Sequence, residues 1–145
     1  MEQKNLMLKL GGYINILIAI AHIVGLFWAD KMFEVTGVGN EMAKLAQTHF
    51  SLPYLLTIFV AIVFFIFGLY GLSADNKSRP LPLLKPVIFA IAGIYLLRGI
   101  EELIFDLEKQ QASQFLEITY SLIAVLIGLL FLIGGLQKWK INGGK

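Results

Sequence analysis

The chain has 145 residues, 57% of them hydrophobic and 15% charged, with a formal net charge of +2 and a mean hydropathy of +0.75. Soluble domains carry about 25% charged residues, so this is a membrane composition, with room for one domain over residues 1–145. The lack of cysteine excludes disulfides, thiolate metal sites and the paired-cysteine chemistry of thiol–disulfide membrane oxidoreductases, and the lack of a basic stripe interleaved with aromatics argues against nucleic acid as a partner.

A spanning helix needs about 20 apolar residues, and four runs qualify. The first, Gly11 to Trp28, follows Lys4 and Lys9 as a secretory signal would. Cleavage after Ala29 would put bulky Phe27 at a recognition position that wants a small residue, so an uncleaved span is expected. Next, Met32, Phe33 and Val35 form a short apolar stretch that stops near Gly37. Asn40 is a suitable N-cap with Glu41 after it, and Met42, Leu45 and Ala46 share a helical face. One or two short helices on the outer membrane surface are expected here, capping the bundle or covering a pocket.

The second run, Leu52 to Leu72, holds no charge. Ser73 to Lys85 reads as an irregular loop, because Asp75, Asn76 and Ser78 lead into Pro80 and Pro82, which block helix. The third run is Pro86 to Leu107 and the fourth Phe115 to Leu136. In a bilayer each segment must satisfy its own backbone amides, so the four are helices of about 27 to 33 Å. The expected fold is an all-α, integral-membrane, four-helix up-down bundle with short outer-surface helices in its first loop.

Basic residues orient it. Lys4, Lys9, Lys77, Arg79, Lys85, Lys138, Lys140 and Lys145 fall on one side of the membrane, and Lys31, Lys44 and Lys109 on the other. The richer side is cytoplasmic by the positive-inside bias, which places both termini inside.

The costly residues point to a site. Arg98 lies near the middle of the third run, where an unpaired charge costs several kcal/mol. Tyr95, Arg98, Glu101 and Glu102 fall near one helical face. His22 lies about 16 Å along the first span. Glu117, Tyr120 and Ser121 start the fourth, and His49, Tyr54 and Thr57 the second. Apart from Asn15, the cytoplasmic half is nearly pure Leu, Ile, Phe and Gly. A pocket open to the outside, with His22, Arg98, Glu101, Glu102, Glu117 and Tyr120 as ligand-binding residues, would solvate these groups. An Arg98 bridge to Glu102 or Glu117 that only ties the third span to the fourth is the competing structural explanation. Gly68, Gly71, Gly128, Gly134 and Gly135 read as helix-contact residues, and Tyr13, Trp28 and Trp139 as interfacial anchors.

Catalytic motifs are missing: no His-Glu-x-x-His, no Gly-x-Ser-x-Gly, no phosphate loop. Paired haem ligation by His22 and His49 would need matching depth, and His49 precedes its span. No cofactor and no metal are expected.

The segments "TGVGNEMAKLA", "GLYGLSADNKSRPLPLL" and "AGIYLLRG" give the stretch from Phe27 to Ile100 a sequence pattern that resembles a group of bacterial four-span inner-membrane proteins with no assigned activity. The resemblance implies a multi-pass protein of the bacterial inner membrane. Arg98 and Gly99 lie inside the matching text, and Glu101, Glu102 and Glu117 outside it.

Three functions compete. A binding or transport protein would hold a small anionic or lipid ligand on Arg98. An accessory or assembly subunit would pair its polar residues with a second copy or a partner membrane protein. An intramembrane enzyme using His22 and a carboxylate as acid and base ranks third. The expected partners are membrane lipids and a small anionic ligand.

The charge bias makes the first testable prediction. A reporter fused after Lys145 should be active only as a cytoplasmic protein; activity on the outer face would reverse the topology.

Overall fold

The computed structural model describes residues 5–74, 80–108 and 114–140. The loop residues Asp75, Asn76, Lys77, Ser78 and Arg79 lie outside the described residues, as do Lys4, Lys109 and Lys145.

All regular structure among the described residues is helical. Helix α1 covers Leu6–Gly25 and continues through a tighter turn, Leu26–Trp28, into α2, Ala29–Val35. Helix α3 is Gly39–Thr48, α4 Leu52–Ser73, α5 Leu84–Glu108 and α6 Gln114–Lys140. Among the described residues three stretches are long and apolar enough to cross a membrane: Leu6–Val35, Leu52–Ser73 and Phe115–Lys140. At 25 residues α5 is as long as the others, but Arg98, Glu101 and Glu102 break its apolar run. Among the described residues, length and composition therefore support three spans, and the expected fourth is not confirmed.

Two local expectations shift. Val38, not Asn40, is the N-cap of α3, and Asn40 stands inside the helix. The break before it falls where expected: Gly37 has φ +77°, a left-handed conformation that glycine adopts without steric cost.

The long helices pack antiparallel in chain order, mainly as two pairs, α1 with α4 and α5 with α6. Glycines let the backbones touch. A Cβ on Gly71 would lie 2.7 Å from the Gly12 Cα and from the Leu8 carbonyl oxygen, and one on Gly12 would lie 2.9 Å from the Gly68 carbonyl oxygen. In the second pair, a Cβ on Gly99 would lie 2.9 Å from the Val125 backbone nitrogen, and Gly128 faces Leu96. The pairs are joined where Gly134 receives Leu8 and Gly11 receives Phe131. Close approach through small residues is how helices associate in lipid, where burying apolar surface gives no advantage over the tails.

The core reflects that. Leu8, Ala74, Ile88, Ile91, Ala92, Tyr95, Ile127 and Phe131 form the buried cluster, while Leu17, Phe59, Leu97, Leu126 and many other large apolar side chains are exposed around the perimeter. An apolar belt of that extent marks a membrane-facing surface. Lys9, Lys85, Lys138 and Lys140 gather at one end of the bundle. There Lys138 Nζ donates to the Ala74 carbonyl at the end of α4, a favourable place for a cation, and Trp139 packs on Phe89.

Substitutions at the seams should separate contact from lipid exposure. Gly71→Val should lower stability in detergent by about 1–3 kcal/mol or more by forcing α1 and α4 apart. Nothing lies within 4 Å of a Cβ on Gly93, so Gly93→Ala should be neutral or gain up to about 1 kcal/mol of helix propensity. Chemical-denaturation midpoints of the two variants check both.

Candidate functional site: a polar face above a sealed core

The packing follows a seven-residue repeat. Seven residues make about two helical turns, with a drift of about 20°, so residues seven apart share a face. Leu8, Asn15 and His22 form one such row on α1, and Ile88, Tyr95 and Glu102 one on α5. Phe131, Ala124 and Glu117 form a row on α6, and Gly71, Phe64 and Thr57 one on α4. At the lysine-rich end these rows supply Leu8, Gly71, Ile88 and Phe131, and at the α2–α3 end His22, Thr57, Glu102 and Glu117.

The middle layer is the seal. The Asn15 side chain is fully buried and Tyr95 is 6% exposed. The Tyr95 hydroxyl donates to Asn15 Oδ1, while Asn15 Nδ2 donates to the Gly11 carbonyl at 2.8 Å. Phe64 and Phe67 of α4 pack on the Tyr95 ring at 6.3 and 6.2 Å. A buried amide without partners would cost about 1–3 kcal/mol; here both of its ends are engaged. This pair ties α1 to α5, and with them the two helix pairs.

Beyond it burial is mixed, with Thr57 and Ser121 still buried at 4% and 1% exposure. Ile91 is 1% exposed, whereas the side chains of Arg98 and Glu102 are 62% and 39% exposed. Arg98 Nε donates to Glu102 Oε1 at 2.8 Å. This is a bridge within α5, so it does not tie α5 to α6. Arg98 itself is exposed. Gly99 and Leu96 contact α6, and successive residues turn by about 100°, which sets Arg98 on the opposite flank of the Tyr95 row, beside α4. Helix α4 meets α5 over only a short stretch, so the Arg98–Glu102 pair sits at the open edge between those helices.

The other predicted residues divide. His22 is half-buried between α1 and α4, its ring 5.2 Å from Phe64, and its Nδ1 donates to the Ile18 carbonyl at 2.8 Å. That bond presents Nε2 as the outer nitrogen. Glu117 is half-buried, with Oε1 3.7 Å from where a Gly37 Cβ would stand, and Tyr120 is 38% exposed one turn further along α6. Glu101 is exposed and lies about 120° from Tyr95 on the helix, away from the core-facing row. Within the predicted set Arg98 bonds directly to Glu102. His49 stands apart, accepting at Nδ1 from the Ser51 hydroxyl at 2.7 Å and stacked on Phe50.

A separate groove of about 310 Å³ lies along the seam of α1 and α4, lined by Ala19, Ile20, Ile23, Val24, Ala61, Ile62 and Phe65. It is apolar and contains none of the predicted site residues.

Asn15 is the residue that sequence reasoning undervalues. The signal for it is its place seven residues before His22, matched by Tyr95 seven before Glu102.

No family model, curated protein or solved structure matches the chain.

Removing the seal should cost more than removing the ion pair. Tyr95→Phe strips the donor from Asn15 and should destabilise by about 1 kcal/mol, the usual scale for a hydrogen bond between membrane helices. Arg98→Leu removes an exposed i,i+4 pair, worth about 0.3–0.5 kcal/mol on helix surfaces. Reversible unfolding in mixed micelles should rank the variants in that order.

Proposed function

We propose that the chain is a four-span protein of the cytoplasmic membrane, both termini inside, that binds a small amphipathic ligand in a polar pocket at its outer end. In this orientation α5 is also a span, the third in chain order, despite Arg98, Glu101 and Glu102, because those residues sit beyond the Tyr95 layer where water reaches them. The α2–α3 segment lies on the outer surface. The lysines at the opposite end, Lys9, Lys85, Lys138 and Lys140, support the direction.

The observation that carries the reading is the switch along the core-facing rows. They are apolar and dry up to Asn15 and Tyr95, then polar at His22, Glu102 and Glu117 within two turns. Nothing in bundle packing requires that change. Arg98 supplies the cation for an acidic group, Glu102 holds its Nε, and His22 and Tyr120 border the pocket. No chemical step is assigned to these residues.

The exposure of Arg98 favours one alternative. An accessory subunit would bring a carboxylate of a partner span to the same edge. Such a complex would copurify from native membranes and lose its partner in Arg98→Gln.

Ligand binding is tested on the purified chain with dodecyl phosphate, an amphipathic anion. It should raise the midpoint of thermal unfolding of the wild type and leave Arg98→Gln unmoved; equal shifts in both would exclude Arg98 as the anchor.

A further inference from the structure

At the opposite end from that pocket, we infer that Lys85 and Lys140 hold the headgroup of an anionic phospholipid over the Phe89–Trp139 ring pair, at the seam of α5 and α6. The inference shares with the proposed function the placement of α5 as a span, and nothing else. The site is built from the seam upward. A Cβ on Gly135 would lie 3.3 Å from the Phe89 ring and 3.2 Å from Ile88, so the bare glycine lets Phe89 lie on α6. Trp139, one turn further along α6, tilts against Phe89 with 5.8 Å between ring centroids. Both rings are half-buried. Lys85 stands one turn before Phe89, near the same face of α5. It also stands eleven residues before Leu96, about three helical turns, and Leu96 packs on Gly128, so Lys85 emerges on the α6 side. Lys140 follows Trp139 and ends α6. It continues, at seven-residue steps, the row of Leu126 and Ile133, which are exposed to lipid. Two cations thus flank one aromatic pair where two helices end.

Charge and depth choose the occupant. Lys138 is held elsewhere, because its Nζ donates to the Ala74 carbonyl at the end of α4. Lys85 and Lys140 are exposed, and neither bonds to another described residue. Among the described residues no carboxylate stands at this end of the bundle. Lys85 is the second residue of α5 and Lys140 the last of α6, so both lie at the rim, level with headgroup phosphates. Each ammonium offers three donors to phosphate oxygens. A zwitterionic headgroup brings an ammonium of its own, which finds no carboxylate here and is repelled by both lysines. A headgroup of net negative charge, as in phosphatidylglycerol, supplies the sign that is missing, and the cytoplasmic leaflet is where such lipids meet basic side chains. The positive-inside bias asks for lysines on this side of the membrane. It does not ask for two of them astride one helix seam beside an aromatic floor.

The test reads Trp139 itself. The chain has two tryptophans, so Trp28→Phe leaves Trp139 as the sole indole, at the far end from the outer pocket. The full-length Trp28→Phe protein is reconstituted in phosphatidylcholine vesicles containing an equal mole fraction of either phosphatidylglycerol or phosphatidylcholine brominated on its acyl chains, and quenching of Trp139 fluorescence counts the lipid beside it. Brominated phosphatidylglycerol should be enriched there about tenfold over brominated phosphatidylcholine. So weak a preference fills the site from a bilayer, where anionic lipid is abundant. Lys85→Gln with Lys140→Gln should bring the two lipids to equal quenching. Lys138→Gln should keep the preference, and so should Arg98→Gln, which separates this site from the outer pocket. Equal quenching with the lysines intact overturns the inference. So does a preference that survives Lys85→Gln with Lys140→Gln, or one that Lys138→Gln alone abolishes.

Discussion

The hydrogen bond from Tyr95 to Asn15 is the constraint around which the rest of the bundle is arranged. In an apolar medium a buried amide has no water to turn to, so Asn15 can occupy the centre only if α5 delivers a donor to it. That requirement sets the depth of α5 against α1. It also makes a layer, with Phe64 and Phe67 closing round the Tyr95 ring, that divides the interior into a dry half and a half whose core-facing positions are polar.

The helix seams serve that division. Gly12, Gly68 and Gly71 bring α1 onto α4 at backbone contact, and Gly99 and Gly128 do the same for α5 and α6. The joints between the pairs, Leu8 with Gly134 and Gly11 with Phe131, lie toward the lysine-rich end. Helices α4 and α5 share little contact.

Much of this is legible in the sequence, for identifiable reasons. The apolar runs of α1, α4 and α6 are continuous, so hydropathy finds them within a few residues. The glycines announce seams because little else explains so many small residues in such runs. The Gly37 break is legible because a helix does not continue through a left-handed residue. Asn40 misleads, since a good capping residue does not cap where Val38 already turns the chain. Arg98 misleads in a more instructive way. Its place in the apolar run suggests burial, but its rotation relative to Tyr95 puts it at an open edge, and rotation is set by which neighbour Gly99 contacts. That is tertiary information, as is the pairing of Asn15 with Tyr95 across 80 positions of sequence.

The central claim is that water reaches the α2–α3 side of the Asn15–Tyr95 layer and stops there. The chain has no cysteine, so single-cysteine variants report one position each. In intact cells, a membrane-impermeant maleimide applied from outside should label Arg98→Cys and Glu102→Cys. It should spare Ile91→Cys, below the layer, and Leu97→Cys, which is 74% exposed but turned to lipid. Silence at positions 98 and 102, or labelling at 91, would contradict an outward-facing polar pocket sealed by Asn15 and Tyr95.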